Sequence, residues 1–290
     1  MTVVLVGTFT KSILIEIAES QGYFAEASLE VTEISVPSSP AQFEMLERGE
    51  INLAITSPDN VLAYKYISKN PLGRNLDLRI LGAVDRGLGL SLCYAPSINS
   101  SPATFGVDVP TSGFAFVGYE LMERHGEEYG SYEIISLGST PKRRVELVAK
   151  NVDSTVLNAG NEIKAISQGA MKIADVSQIG PYLGTVLSTI GEPAYPVRDF
   201  QKIINRVVAE ILAGEHSDLI ITITTKNLAL TKNFAELHYQ MLLDPIHGLV
   251  PNGTVDIAAI QTLITLRNKF LPTSELDHVI DDFDSLVKTI

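Results

Sequence analysis

A chain of 290 residues is about two domains' worth, and 45% hydrophobic with 19% charged residues excludes wholesale disorder. The balance of 22 Lys+Arg against 34 Asp+Glu gives a net charge of −12, which argues against a nucleic-acid partner and against adhesion to anionic membranes. No apolar run approaches the roughly 20 residues that direct membrane insertion needs, and the single cysteine, Cys93, excludes a disulfide framework or a thiolate zinc cluster.

Residues 3–6 form an apolar run that predicts a buried strand, ended by Gly7. Met1 leads straight into it with no basic n-region and no cleavage site. The expected location is therefore cytoplasmic, or periplasmic (extracytoplasmic) where an export signal has been removed from the recorded sequence. Ile13, Ile17 and Ala18 recur at helical spacing over residues 12–18. Residues 29–36 read as a strand, alternating Leu29, Val31 and Glu33, held extended up to Pro37. A helix with Phe43, Met45 and Leu46 on its apolar side follows Ser38-Ser39-Pro40, and Gly49 stops it. Residues 51–55 predict the next strand, and Ser57-Pro58-Asp59 opens the next helix. This alternation demands crossover connections, and hence a mainly parallel sheet covered by helices on both faces. The fold class is α/β.

Residues 78–84 and 89–94 are two strand-like stretches joined through Asp85-Arg86-Gly87. A second cycle follows: a strand at 104–107, a helix at 113–124, a strand at 132–137, a helix at 141–149 and a strand at 154–157. From about Pro196 the chain is helical and amphipathic to its end, apart from turns such as Pro251-Asn252-Gly253. No flexible linker separates the two cycles. Lobes joined by strands predict a hinged pair with a cleft between them. Lobe one is expected at residues 1–86 and 197–290, and lobe two at 87–196.

In open α/β sheets, ligands lie beyond the carboxyl ends of the strands, where helix N-termini present free backbone N–H groups. Those positions read Thr8-Phe9-Thr10, Ser38-Ser39, Ser57-Pro58-Asp59-Asn60, Thr111-Ser112, Gly138-Ser139-Thr140 and Asn158-Ala159-Gly160. Each alone is what helix capping selects; the set, drawn from two lobes, points to one small-molecule site. Tyr182 and Phe9 add rings that could stack on a ligand, with core packing as the competing role.

Gly22-Tyr23-Phe24-Ala25 through Glu30-Val31 resembles the opening of type II periplasmic binding proteins. Leu46 with Gly49-Glu50-Ile51-Asn52-Leu53-Ala54, followed by Ser57-Pro58-Asp59-Asn60, resembles the NMT1/THI5-like subgroup. Gly138-Ser139-Thr140, then Arg144-Val145-Glu146-Leu147 and Val152 to Asn158, is similar to the matching segment of the second lobe. The resemblance implies a two-lobed fold, a small organic solute in the cleft, no cofactor, and an ABC transporter permease as partner. A minority of the family are enzymes.

Catalytic features are sparse, and no residue stands out as catalytic. Cys93 lies in the apolar run Leu90-Ser91-Leu92-Cys93-Tyr94 and reads as a small hydrophobe, since a reactive thiolate needs an accessible, electropositive setting. The cysteine-rich motif of the family's fungal pyrimidine synthases is absent, and where its sulfinate desulfinases carry a cysteine this chain offers Thr8, Thr10 and Ser39. Phosphate-loop and nucleophile-elbow patterns are also absent. His125, His216, His238, His247 and His278 lack metal-ligand spacing and read as packing or solvated residues, so no metal site is expected. Lys11, Arg86 and Lys142-Arg143-Arg144 suit an anion, while Asp59 and Glu162 suit the opposite sign. Two functions remain: a solute-binding protein, or a cytoplasmic lyase, decarboxylase or isomerase that acts on a small acid, aromatic ones included, and uses the closed cleft to exclude water. If Ser57-Pro58-Asp59-Asn60 is a ligand loop, Asp59→Ala or Asn60→Ala is expected to weaken ligand binding with little effect on the melting temperature of the free protein; if it is only a cap, Ser57→Ala costs about 1 kcal/mol of stability and leaves affinity alone.

Overall fold

The computed structural model describes residues 1–288. Strand β1 (Thr2–Thr8) leads to helices α1 (Ile13–Ser20) and α2 (Tyr23–Glu26), β2 (Leu29–Ser35), α3 (Ser39–Glu47), β3 (Leu53–Thr56), α4 (Pro58–Tyr66) and β4 (Leu78–Asp85). Strand β1 runs parallel to β2, with Thr2 opposite Leu29 and Thr8 opposite Ser35, and parallel to β3 on its other side. Its residues Val4 and Val6 are fully buried and share one cluster with Ile17 of α1 and with Val207. Helix α1 turns Leu14, Ile15, Ile17 and Ala18 inward, and Ser57 caps α4 by accepting the Asp59 N–H.

The chain then crosses through residues 86–90 into β5 (Ser91–Tyr94). It continues with β6 (Thr104–Val107), α5 (Gly113–Arg124), β7 (Glu133–Ser136), α6 (Thr140–Val148), β8 (Ser154–Leu157), α7 (Asn161–Ser167) and β9 (Met171–Asp175). It returns through residues 176–184 into β10 (Thr185–Ile190) and the helices α8 (Tyr195–Leu212), α9 (Ser217–Leu228), α10 (Lys232–Leu243), α11 (Ile257–Phe270) and α12 (Phe283–Leu286). The two five-stranded sheets have the orders β2-β1-β3-β10-β4 and β7-β6-β8-β5-β9. Each is parallel except for one strand, β10 in the first and β5 in the second, which is the strand that enters from the other lobe.

Two expectations about the lobes are corrected. The return crossing ends near residue 184, so β10 belongs to the first sheet, and lobe two does not extend to residue 196. The C-terminal helices are also not all lobe-one elements. Helices α8 and α9 cover α1, but α11 lies between α4 of lobe one and α5 of lobe two. Phe116 of α5 stacks on Phe270 of α11, and one buried cluster joins Phe43 and Leu78 to Phe105, Phe116 and Leu263. Helices α4, α5 and α11 meet at a buried ion pair: Arg267 donates Nε and Nη2 to the Asp59 carboxylate at 2.8 and 2.5 Å. The absence of a side chain at Gly113 permits that approach, because a Cβ there would lie 2.5 Å from Cβ of Asp59.

Candidate functional site

The carboxyl ends of the parallel strands in both sheets face one cleft of about 770 Å³. Thr8, Phe9, Thr10, Ser38, Ser39, Ser57 and Asn60 line it from lobe one, and Ser112, Ser139, Thr140 and Asn158 from lobe two. These residues meet because each follows a strand or opens a helix at the same edge of its sheet.

Several of these side chains also serve the fold. Ser38 accepts the Ala41 N–H and Ser112 accepts the Ala115 N–H, both as helix caps. The Thr8 hydroxyl donates to Glu33 at 2.7 Å, and the same carboxylate oxygen accepts the Ser12 N–H, which fixes the loop after β1. Burial pushes the Glu33 carboxyl up, against the pull of those two donors. Ser39 hydrogen-bonds Tyr64, and Asn60 donates to Thr56. Ser139 differs: it precedes α6 but makes no side-chain cap bond.

Asp59, Thr111 and Tyr182 do not line the cleft, which corrects their expected role. The Asp59 side chain is 1% exposed and turned to Arg267. Thr111 contributes its carbonyl to the same guanidinium. Tyr182 is buried against Gly87 in the crossing segments, and burial pushes its phenol up. Cys93 is fully buried in β5, the packing role its sequence suggests, and burial pushes its thiol up.

Of the cations flagged in sequence, Lys11, Arg143 and Arg144 line the cleft, whereas Arg86 donates to the Leu249 carbonyl. Arg143 is 2% exposed, and its guanidinium donates to the carbonyls of Gly138 and Val156 and to the Thr140 hydroxyl. No carboxylate lies within ion-pair distance of it among the described residues. Thr140 in turn donates to Asn158, which links the starts of α6 and α7. At the hinge, Asp85 accepts the N–H groups of Gly87 and Leu88 at 2.8 and 2.9 Å, and burial pushes its carboxyl up.

One wall has no counterpart in the sequence reading. Helices α9 and α10 contribute Ile223, Thr224, Leu228, His238 and Leu242. Their periodicity marks them as amphipathic, but nothing local says that the inner face meets a cavity rather than a core. His238 is 5% exposed, and burial pushes its imidazole down to about 4.

No protein-family model and no curated protein sequence matches the chain. Among solved structures it is similar to the alkanesulfonate-binding protein SsuA of Xanthomonas axonopodis pv. citri, bound to MOPS. The TM-score is 0.71 at 14% identity, over 94% of this chain and 95% of that one. The periplasmic nitrate-binding protein NrtA of Synechocystis gives 0.72 at 12% identity, over 99% of this chain and 86% of that one. A Candida albicans protein described as defining a new family with the generic periplasmic binding protein fold gives 0.72 at 17% identity, over 100% of this chain and 97% of that one. At such identities the likeness is one of architecture, and it runs the length of the chain: the protein has the two-lobed α/β fold of the periplasmic binding proteins.

Proposed function

We propose that the protein is a solute-binding protein whose lobes hold a small organic anion in the cleft, and that it is the substrate-binding component of an ABC transporter. The observation that carries this reading is Arg143, a buried guanidinium on the cleft wall whose hydrogen-bond acceptors are all neutral, with the Asp108 carboxylate acting on it through space only. A buried charge favours a counter-charge strongly, because carbonyl dipoles replace only part of its hydration. Helix α6 begins beside it without a side-chain cap, and its first turn has backbone N–H groups with no intrahelical acceptor. That end of a helix favours an anion. Lys11, Arg144, Lys164 and Lys226 also line the cleft, against Asp85 and Asp108. Two relatives in fold are named for binding anions, an alkanesulfonate and nitrate.

In this reading Ser139, Thr140 and Asn158 meet the anionic group with Arg143. Thr8, Phe9, Thr10, Ser38, Ser39, Ser57, Asn60 and Ser112 close on the remainder of the ligand. The partner of the closed form is a permease, and the protein works outside the cytoplasmic membrane.

A melting-temperature screen of small sulfonates, carboxylates and aromatic acids against their neutral analogues tests the proposal. A ligand at a hundred times its Kd adds about 2.7 kcal/mol of stability. Anions are expected to raise the melting temperature and neutral analogues to leave it unchanged. Arg143→Gln is expected to weaken binding of the best anion by about 1.5–3 kcal/mol in calorimetric titration. Stabilisation by neutral or cationic compounds alone, or undiminished anion affinity in Arg143→Gln, would overturn it.

A further inference from the structure

The cleft is much larger than an inorganic anion needs. At about 770 Å³ it has room for roughly 25 waters at about 30 Å³ each. The lobes already touch across it. Lys164 of α7 donates to the Ala229 carbonyl between α9 and α10, and a Cβ at Gly160 would lie 2.3 Å from Leu228 of α9. Helix α9 packs in turn on α1 of lobe one. The volume is therefore that of a bridged cleft. An ion the size of nitrate would leave most of it to water.

The lining indicates what the remaining space accepts. Phe9 after β1, Ile55 of β3, Val84 of β4, Leu88 of the first crossing, Phe114 of α5 and Leu228 of α9 all border the cleft, and all are only half-buried. Side chains of the same kinds in the core, such as Val6, Leu81 and Phe105, are fully covered. The uncovered apolar surface comes from lobe one, lobe two, the crossing and the C-terminal helices, so it is not confined to one wall. Covering such surface stabilises a complex in proportion to the area removed from water. A cavity with many apolar contacts around a few polar groups suits an organic body.

Resting on the proposed anion site, we infer that the ligand is an amphiphilic organic anion: an anionic group held at Arg143 on an apolar body of about ten or more non-hydrogen atoms. A body of that size fills about half of the cleft, since each such atom takes up somewhat less space than a water. The apolar side chains bind the body by covering it, so affinity rises with the apolar area the ligand carries. Small hydrophilic anions bind weakly, because they leave this surface wet.

Calorimetric titration with the n-alkanoates from acetate to dodecanoate, beside n-alkanols of the same lengths, tests this. Each added methylene is expected to tighten alkanoate binding by up to about fourfold, with the rise continuing through octanoate and saturation at about one ligand per chain. Phe114→Ser and Leu88→Ser, on separate elements, are each expected to flatten that rise and to weaken decanoate binding about threefold or more. Should one variant fail to fold, the other decides; should both fail, the wild-type series decides. An affinity that stops rising by butanoate, uptake that does not saturate, or a wild-type slope in the variants overturns this inference and leaves the anion site standing. Alkanols that bind as tightly as their alkanoates overturn the anion site, on which the inference rests. A series in which no alkanoate binds overturns both.

Discussion

Glu162, near the start of α7, has both carboxylate oxygens buried without a hydrogen-bond partner, packed against Gly89 of the first crossing. Desolvation pushes its pKa up to about 8, against weaker opposing pulls from the N–H groups of Glu162 and Gly160 and from Lys172. The folded state therefore holds a proton that the unfolded chain releases near 4.5. This contribution is fully present below about 4.5 and is lost as pH rises through about 8. His238 acts in the opposite sense. Its folded pKa of about 4 lies below the ordinary 6.5, so its contribution is present above 6.5 and is lost as pH falls through 4. Thermal melts of Glu162→Gln between pH 5 and 9 should isolate the first effect. The wild-type midpoint should fall across that range relative to the variant, by an amount on the order of a few kcal/mol in stability. Parallel curves for the two proteins would mean that Glu162 is hydrated and ionised in the folded state.

Helix α11 determines what Asp59 does, and it overturns the expectation that Asp59→Ala would spare stability. The Asp59 carboxylate and the Arg267 guanidinium are 1% and 4% exposed, so removing either leaves the other charged and buried. Arg267→Ala or Asp59→Ala should each cost about 3–5 kcal/mol, while Asn60→Ala, at the cleft wall, should cost much less. Urea unfolding of the three variants checks this order, and a wild-type-like midpoint for Arg267→Ala would contradict it. The partner could not be found locally, since Arg267 lies 208 residues beyond Asp59 in the chain. Elements up to β8, apart from the four-residue α2, were legible within a few residues, because apolar runs bounded by Ser, Pro and Gly mark their ends. Helix α7 was not, having a glycine at its cap position and only seven residues. Strand β9 shows little alternation at the sheet edge, and β10 takes its place only by non-local pairing between β3 and β4. The cleft residues were legible for a different reason: strand ends of one sheet share an edge, so position along the chain implied position in space. Whether a side chain at such an end turned outward to the cleft or inward to a helix was decided by the last third of the chain.

At the scale of the whole molecule, a two-lobed protein with two crossings invites independent unfolding of its lobes. Each lobe has a buried cluster of its own, around Val4 and Phe200 in lobe one and Cys93 and Leu147 in lobe two, but a third and larger one spans both. The largest buried cluster runs from Phe43 and Leu78 through Ile260 and Leu263 of α11 to Phe105, Phe116 and Met122. Phe116, Tyr119, Tyr129 and Phe270 extend it as an aromatic group between α5 and α11. Arg267 adds a guanidinium over the Phe116 ring and an ion pair to Asp59 on the other lobe. Each fully buried large side chain contributes about 1.5–3 kcal/mol, so opening this seam before either lobe melts would forfeit several such contributions at once. Unfolding is therefore expected to be one cooperative transition. The chain has no tryptophan, so near-ultraviolet circular dichroism reads the packing of its ten tyrosines and ten phenylalanines, the aromatic seam among them, while far-ultraviolet circular dichroism reads the helices and strands of both lobes. The curves in urea should coincide for wild-type protein. In Arg267→Ala the seam loses its central ion pair, and the two signals should separate, with the aromatic signal changing first. Resolved transitions already present in the wild-type protein would show that α11 belongs to one lobe in energetic terms, whatever its position between the two.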